Sequence, residues 1–438
     1  MITSVPPQGA PRRPPRIARP DEVPRLGEPG FPLPAPGETE DFWAGVSATG
    51  TPVLSPDPQG SADHTAVTFL WRGGPTTRAV QVLPNKIGDP RAPQGNLMEC
   101  VPGTDVWHWT VRLRNDWRGT YDFYVDEGGG PEPGTADHWR WLRTRRRHDP
   151  LNGRTLPRRW HGDPVSYAEL PCAPGGQDWQ PRPGVARGRT TVHEVPAEKL
   201  GGPRRVWLYE PPPAPEHSED TGHSESSGHS GRSEDLPVLV LLDGEHWQPR
   251  LGLANLLDNL VADGRIPPLV ALLPESVDAD TRWSELTCRP EFVAFLADEL
   301  LPWAASRLPV TDDPARTVVA GQSLGGLSAA HAALSAPGRF GNVLAQSGSF
   351  WWPDGPQAEW LTDRIAESPR LPVRFRLSFG EQEWVALPAA RRLREALAAA
   401  GYDDASYREF NGGHDYLCWR TELADGLVEL LPGAAPTA

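Results

Sequence analysis

The stretch Ala320–Ala332, AGQSLGGLSAAHA, decides how the second half of the chain is read. Its core is G-x-S-x-G, Gly321 to Gly325 around Ser323, followed at once by Gly326. Alone the pattern is weak, because glycine supplies 44 of 438 residues and chance matches are expected at that frequency. Its flanks give it meaning. Thr317–Ala320 has the pattern of a buried strand, and Leu327–Leu334 that of a helix. A serine at a sharp strand-to-helix turn stands exposed at the carboxyl end of a sheet, and glycines permit the close backbone approach that such a turn needs. The N–H of Leu324 opens the helix, where developing negative charge is stabilised.

A serine hydroxyl needs a base. His414, in NGGHDYLCW after the last strand pattern, is the candidate. His331 falls inside the helix after the serine and fits worse. The base needs an orienting carboxylate, and SFGEQEW offers two, Glu381 and Glu383. The order serine, acid, histidine is that of the α/β-hydrolases. A second oxyanion donor is expected from the turn DGEHW, as the N–H of Gly244 or Glu245, with Trp247 beside them as a pocket residue.

From Val238 onward, continuous apolar strands such as VLVLLDG and LVALLPE alternate with amphipathic helices, which predicts a parallel sheet covered on both faces. TTVHEVPA and RRVWLYEPP read as a hairpin opening this domain. The front half differs. HTAVTFLWRG, RAVQVLP, DVWHWTVRLR and GTYDFYVDE alternate in short runs between turns, which predicts an antiparallel β-sandwich. The expected fold is therefore a C-terminal α/β-hydrolase domain, 186–432, preceded by a sandwich at 39–150. Residues 151–185 read as a linker, and 1–38, rich in proline and arginine, as a tail without fixed structure. Residues 211–237 form a low-complexity insertion. It reads as a solvated loop in the hairpin, and His217, His223 and His229 recur in it every six residues.

A net charge of −14 argues against general nucleic-acid binding. No apolar run is long enough to cross a membrane, and the N-terminus lacks the apolar core of a signal peptide. Cys100, Cys172, Cys288 and Cys418 match no zinc or redox spacing, so free thiols and a cytoplasmic location are expected. No cluster has metal-ligand spacing, and no cofactor is expected.

VLLDGEHW, RWSELTCRPEFVAFLADELLPW, VVAGQSLGGLSAAHAAL, AQSGSFWW and GGHDYLCWR together closely resemble the enterochelin (ferric enterobactin) esterases. GTDVWHWTVRLRNDWRGTYDFYV and DPLNGRTLPRRW resemble that family's N-terminal domain, so the likeness runs from about Asp41 to Arg420. The resemblance implies hydrolysis of the ester bonds of a cyclic tri-serine catecholate siderophore in the cytoplasm. It implies Ser323 as nucleophile and His414 as base. It favours Glu383 over Glu381, because Glu383 stands at the glutamate of the family's G-x-x-E. Iron(III) then enters as part of the substrate. A catecholate complex of iron is anionic and aromatic, so guanidinium groups and flat rings are expected around it. Arg282, Arg289 and Arg420, with Trp247, Trp351 and Trp352, are the candidates. The serine motif itself leaves open a carboxylesterase or acyltransferase acting on another ester. A ligand-binding protein with an inactive hydrolase domain is the rival of a different class.

Overall fold

The computed structural model describes residues 6–7, 13–89, 92–132, 134–160, 162–213 and 235–433. The front half forms two antiparallel sheets packed face to face. One is built on His64–Arg72 paired with Val106–Arg114, the other on Arg118–Asp126 paired with Ala79–Pro84 and Val165–Glu169. Alternation along each strand sends one set of side chains into the space between the sheets. Phe69, Trp109, Trp117, Tyr121 and Phe123 meet there, wholly buried.

Two expectations for this half are corrected. Residues 151–185 are no bare linker, because Thr155–Leu156 and Val165–Glu169 extend the second sheet. Proline and arginine hid these short strands. The described part of the N-terminal tail is also placed. Arg25–Leu26 pairs with Val111 and Thr110, and the Arg19 guanidinium donates to the carbonyls of Lys86 and Ile87 at 2.6 and 3.0 Å.

The second half carries an eight-stranded sheet. Its strands in chain order are β1 (Arg189–Val195), β2 (Arg204–Glu210), β3 (Val238–Leu241) and β4 (Val270–Pro274), then β5 (Thr317–Gln322), β6 (Asn342–Gln346), β7 (Arg374–Gly380) and β8 (Ser406–Phe410). They lie in the order β1-β2-β4-β3-β5-β6-β7-β8. The hairpin β1–β2 is antiparallel and β2 meets β4 antiparallel; every later pairing is parallel. The sheet is thus mixed at one edge. Strands β3 and β5 are buried at every position, because helices cover both faces. The insertion joins β2 to β3 rather than turning the hairpin. Its three recurring histidines lie outside the described residues. Among the described residues no helix is long and apolar enough to cross a membrane.

Candidate active site

The parallel strands β5, β6, β7 and β8 end on one edge of the sheet, and the turns after them converge, as ligand sites do in open α/β sheets. Ser323 follows β5 directly. It is held at φ 58°, ψ −123°, a backbone conformation that costs a non-glycine residue about 1–3 kcal/mol. The surroundings enforce it. A Cβ on Gly321 would lie 2.5 Å from the Gly325 backbone, and one on Gly326 would lie 3.0 Å from the Gly348 Cα. Only glycine lets strand and helix touch there. The helix Leu324–Ser335 starts at the next residue, so the Leu324 N–H lies in its first turn.

His414 follows β8 and Glu383 follows β7. The imidazole Nδ1 and Glu383 Oε2 are 2.5 Å apart. Glu383 Oε1 accepts from the Ser347 hydroxyl at 2.5 Å and from the Gly380 N–H at 2.8 Å. Ser347 in turn accepts from the Trp419 indole N–H at 2.8 Å, and the Trp419 ring stands edge-on to the imidazole. Burial works against the Glu383 charge. The adjacent imidazole and the bonds from His414, Ser347 and Gly380 outweigh it and hold the carboxyl below its ordinary range. The side chain of Glu383 is 1 % exposed and that of His414 29 %, so the acid is sealed while the base is open to the cavity. Glu381 is turned away and pairs with Arg114 at 3.1 Å. Of the two carboxylates the motif offered, Glu383 is the one bonded to His414.

Ser323, Leu324, Glu383 and His414 line one cavity of about 330 Å³. Arg282 and Trp351 line it too, as expected, together with Arg159, Trp160, Trp283 and Lys86. A larger cavity of about 630 Å³ opens between the two halves of the molecule. It shares His414, Lys86, Arg159 and Trp160 with the first and adds Arg146, Arg158, Tyr124 and Trp384.

Two arginines are fixed at the serine cavity by one buried carboxylate. Asp243 accepts from Arg282 Nε at 2.9 Å and Nη2 at 2.8 Å, and it pairs with Arg159. The Ser276 hydroxyl and the Gln322 amide complete its shell at 2.6 and 2.7 Å. Burial opposes this charge, yet Arg159 and Arg282 keep the carboxyl far below its usual range. Arg282 also donates to the carbonyl of Gln322, beside the serine, at 3.2 Å. Arg159 stacks over Trp160, with 4.6 Å from its guanidinium carbon to the ring centre.

Other expected residues lie elsewhere. Gly244 and Glu245 line neither cavity. The Glu245 carboxylate is occupied by Arg159 at 2.9 Å and the Ser276 N–H at 3.0 Å. Trp247 is a core residue, stacked on Trp179 and donating to Gln322 at 3.1 Å. Trp352 is buried behind Trp351 against Trp360. Arg289 pairs with Glu291 at the surface. Arg420 lines a separate small cavity with Tyr167 and Glu169, packed over Trp179. Cys288 and Cys418 are buried, and burial pushes both thiols up, so they pack rather than react. The missed residues, Lys86, Arg158, Arg159 and Trp160, sit on loops of the front half. The basic-aromatic run PRRW was the visible signal for Arg158, Arg159 and Trp160.

Comparison with known proteins gives the family. Residues 66–179 match the family described as enterochelin esterase, N-terminal, and residues 227–430 match the putative esterase family. The chain is 35% identical to the iron(III) enterobactin esterase of Dickeya dadantii over 92% of its own length and 95% of that relative's. It is 29% identical to the iron(III) salmochelin esterase of an Escherichia coli O6:H1 strain, covering 90% of this chain and 93% of that one. The solved enterobactin esterase of Shigella flexneri, determined in the presence of enterobactin, superimposes with a TM-score of 0.72 at 32% identity. That match covers 89% of this chain and 97% of the other. The chain belongs to the enterobactin esterase family of carboxylic ester hydrolases.

Proposed function

We propose that the chain hydrolyses the ester bonds of an iron(III)-loaded cyclic tri-catecholate siderophore in the cytoplasm and so frees the metal. The observation that carries this reading is the pairing of cavities: Ser323 in the small one, cations and rings in the large one, and His414 on the border of both.

Ser323 Oγ attacks an ester carbonyl while His414 takes its proton, and Glu383 holds the imidazole and stabilises its charge. The oxyanion falls to the Leu324 N–H. Arg282, clamped by Asp243 beside Gln322, takes the second place expected of Gly244 or Glu245. His414 then returns the proton to the departing serine hydroxyl, and water clears the acyl-enzyme. The bulk of the substrate occupies the larger cavity. Lys86, Arg146, Arg158 and Arg159 face its negative charge there, and Tyr124, Trp160 and Trp384 offer faces to its rings. Iron comes and goes with the catecholates, and no resident metal or cofactor takes part. Four cysteines without disulfides, two of them exposed, support a reducing location.

Ionic strength tests the charge recognition. For the ferric substrate kcat/KM should fall as salt rises, while for an uncharged aryl ester it should stay level. Equal salt dependence for both would remove the larger cavity from the account.

A further inference from the structure

We infer that Asn85, on the sandwich domain, is a positioning residue for His414: its side-chain amide brackets the histidine's own peptide groups. The inference rests on His414 acting as the base, as proposed above. It goes further in giving the front domain a part in catalytic power and not only in substrate fit.

Asn85 Oδ1 accepts from the His414 N–H at 2.9 Å, and Asn85 Nδ2 donates to the His414 carbonyl at 3.2 Å. One amide thus satisfies both backbone polar groups of the base, and this pairing fixes the amide's own orientation. The bracket is anchored. The Asn85 N–H donates to the Thr120 carbonyl at 2.7 Å. The Thr120 N–H and hydroxyl both donate to Asp415 Oδ2, at 3.0 and 3.1 Å. Asn85, His414, Asp415 and Thr120 therefore close a ring across the domain boundary. Asp415 also accepts from the Cys418 N–H at 3.2 Å, which ties the ring to the start of the helix Tyr416–Leu430. Gly413 makes room for it: a Cβ there would lie 2.4 Å from Asn85 Oδ1.

Within its own domain, the hydrogen bond that holds His414 is the one from its ring to Glu383. That bond and the edge-on Trp419 ring hold the imidazole, and the backbone that carries it is fixed by Asn85. Each hydrogen bond to Asn85 adds only about 1 kcal/mol to folding. Placement matters more, because a catalytic group displaced by about 1 Å can lose about a hundredfold in rate.

Asn85→Ala removes both bonds. Asn85→Asp keeps size and the acceptor for the N–H, but sets an oxygen against the His414 carbonyl. Both are assayed in the full-length enzyme on an uncharged aryl ester, and by the rate at which a fluorophosphonate labels Ser323. Near-UV circular dichroism normalises both readings to the folded fraction. The inference predicts that kcat and labelling fall at least about tenfold in both variants, with KM within about twofold of wild type. Thr120→Val, which removes only the hydroxyl bond to Asp415, should lose less. A folded variant with wild-type kcat and labelling, or with a loss confined to KM, overturns the inference. If Asn85→Ala does not fold, Asn85→Asp decides. The small ester reports on the base alone. Loss on that ester in an enzyme that leaves the tri-catecholate intact would therefore sink the substrate reading and keep this one.

Discussion

Ser323, Glu383 and His414 stand on turns that follow strands of one sheet, whereas Lys86, Arg158, Arg159 and Trp160 stand on loops of the sandwich domain. The side chains of the first group are held by short-range geometry. Gly321 touches Gly325, Ser347 meets Glu383, and Glu383 meets His414. The second group is held across the domain boundary, as when Arg159 reaches Asp243 and Glu245. Bond-breaking chemistry needs sub-ångström placement, which the turns of one sheet supply, with the His414 backbone also bracketed by Asn85. Recognition of a large anionic ligand needs area and charge, which a cleft between two domains supplies. Variants in the triad should therefore fail on every ester, and variants at side chains that line only the larger cavity, such as Arg146 and Arg158, should fail only on the large one.

The largest loss is expected from Ser323→Ala, on the order of 10⁵-fold in kcat on both the tri-catecholate and a small aryl ester, read by product formation. Activity retained on either ester would place that chemistry on another residue. Glu383→Gln comes next, with about a 10³-fold loss on both substrates, since the imidazole loses its counter-charge and the hold on its tautomer. This variant carries a pH signature as well. The folded carboxyl of Glu383 lies below its ordinary value, so the stability it adds is full above the ordinary carboxylate range. That stability is lost as pH falls through the folded value. Denaturation midpoints of wild type and Glu383→Gln should differ near neutrality and converge in acid.

Arg146→Glu probes the other region. Arg146 is exposed at the larger cavity, and among the described residues its guanidinium makes no hydrogen bond or ion pair. Its reversal should lower kcat/KM for the ferric substrate about tenfold and leave the small ester unchanged. Parallel losses on both esters would dissolve the distinction between the regions. The smallest effect belongs to Glu381→Gln. Its exposed pair with Arg114 is worth less than about 1 kcal/mol, so activity should stay within about twofold of wild type.

The same contrast explains what could be read from the chain. The serine turn and the base follow strands whose apolar runs are unmistakable, so local pattern was enough to single out Ser323 and His414. It offered both Glu381 and Glu383, and only the family resemblance favoured Glu383. The sandwich was legible by alternation at His64–Arg72 and Val106–Arg114. Thr155–Leu156 is two residues long, and Arg25–Leu26 pairs with a strand some 85 positions later, so no local period marked either. Trp247 and Arg420 had the right chemistry for the ligand, but packing decided their place. The indole of Trp247 is absorbed by Trp179 and Gln322, and Arg420 lies over the ring of Trp179. Gly244 was expected by analogy of position after β3. At that turn the Asp243 side chain holds Arg282, which comes from a separate helix. A carboxylate that gathers arginines from distant loops leaves no spacing to read.

The most direct test of the account is a mass-spectrometric time course with purified wild type and Ser323→Ala. Each is given a cyclic tri-catecholate trilactone in ferric and iron-free form. The account predicts linear trimer, then dimer, then monomer from the wild type, and intact trilactone from the variant. An untouched trilactone from wild type that still cleaves a small aryl ester would contradict the proposed substrate and leave only the serine chemistry.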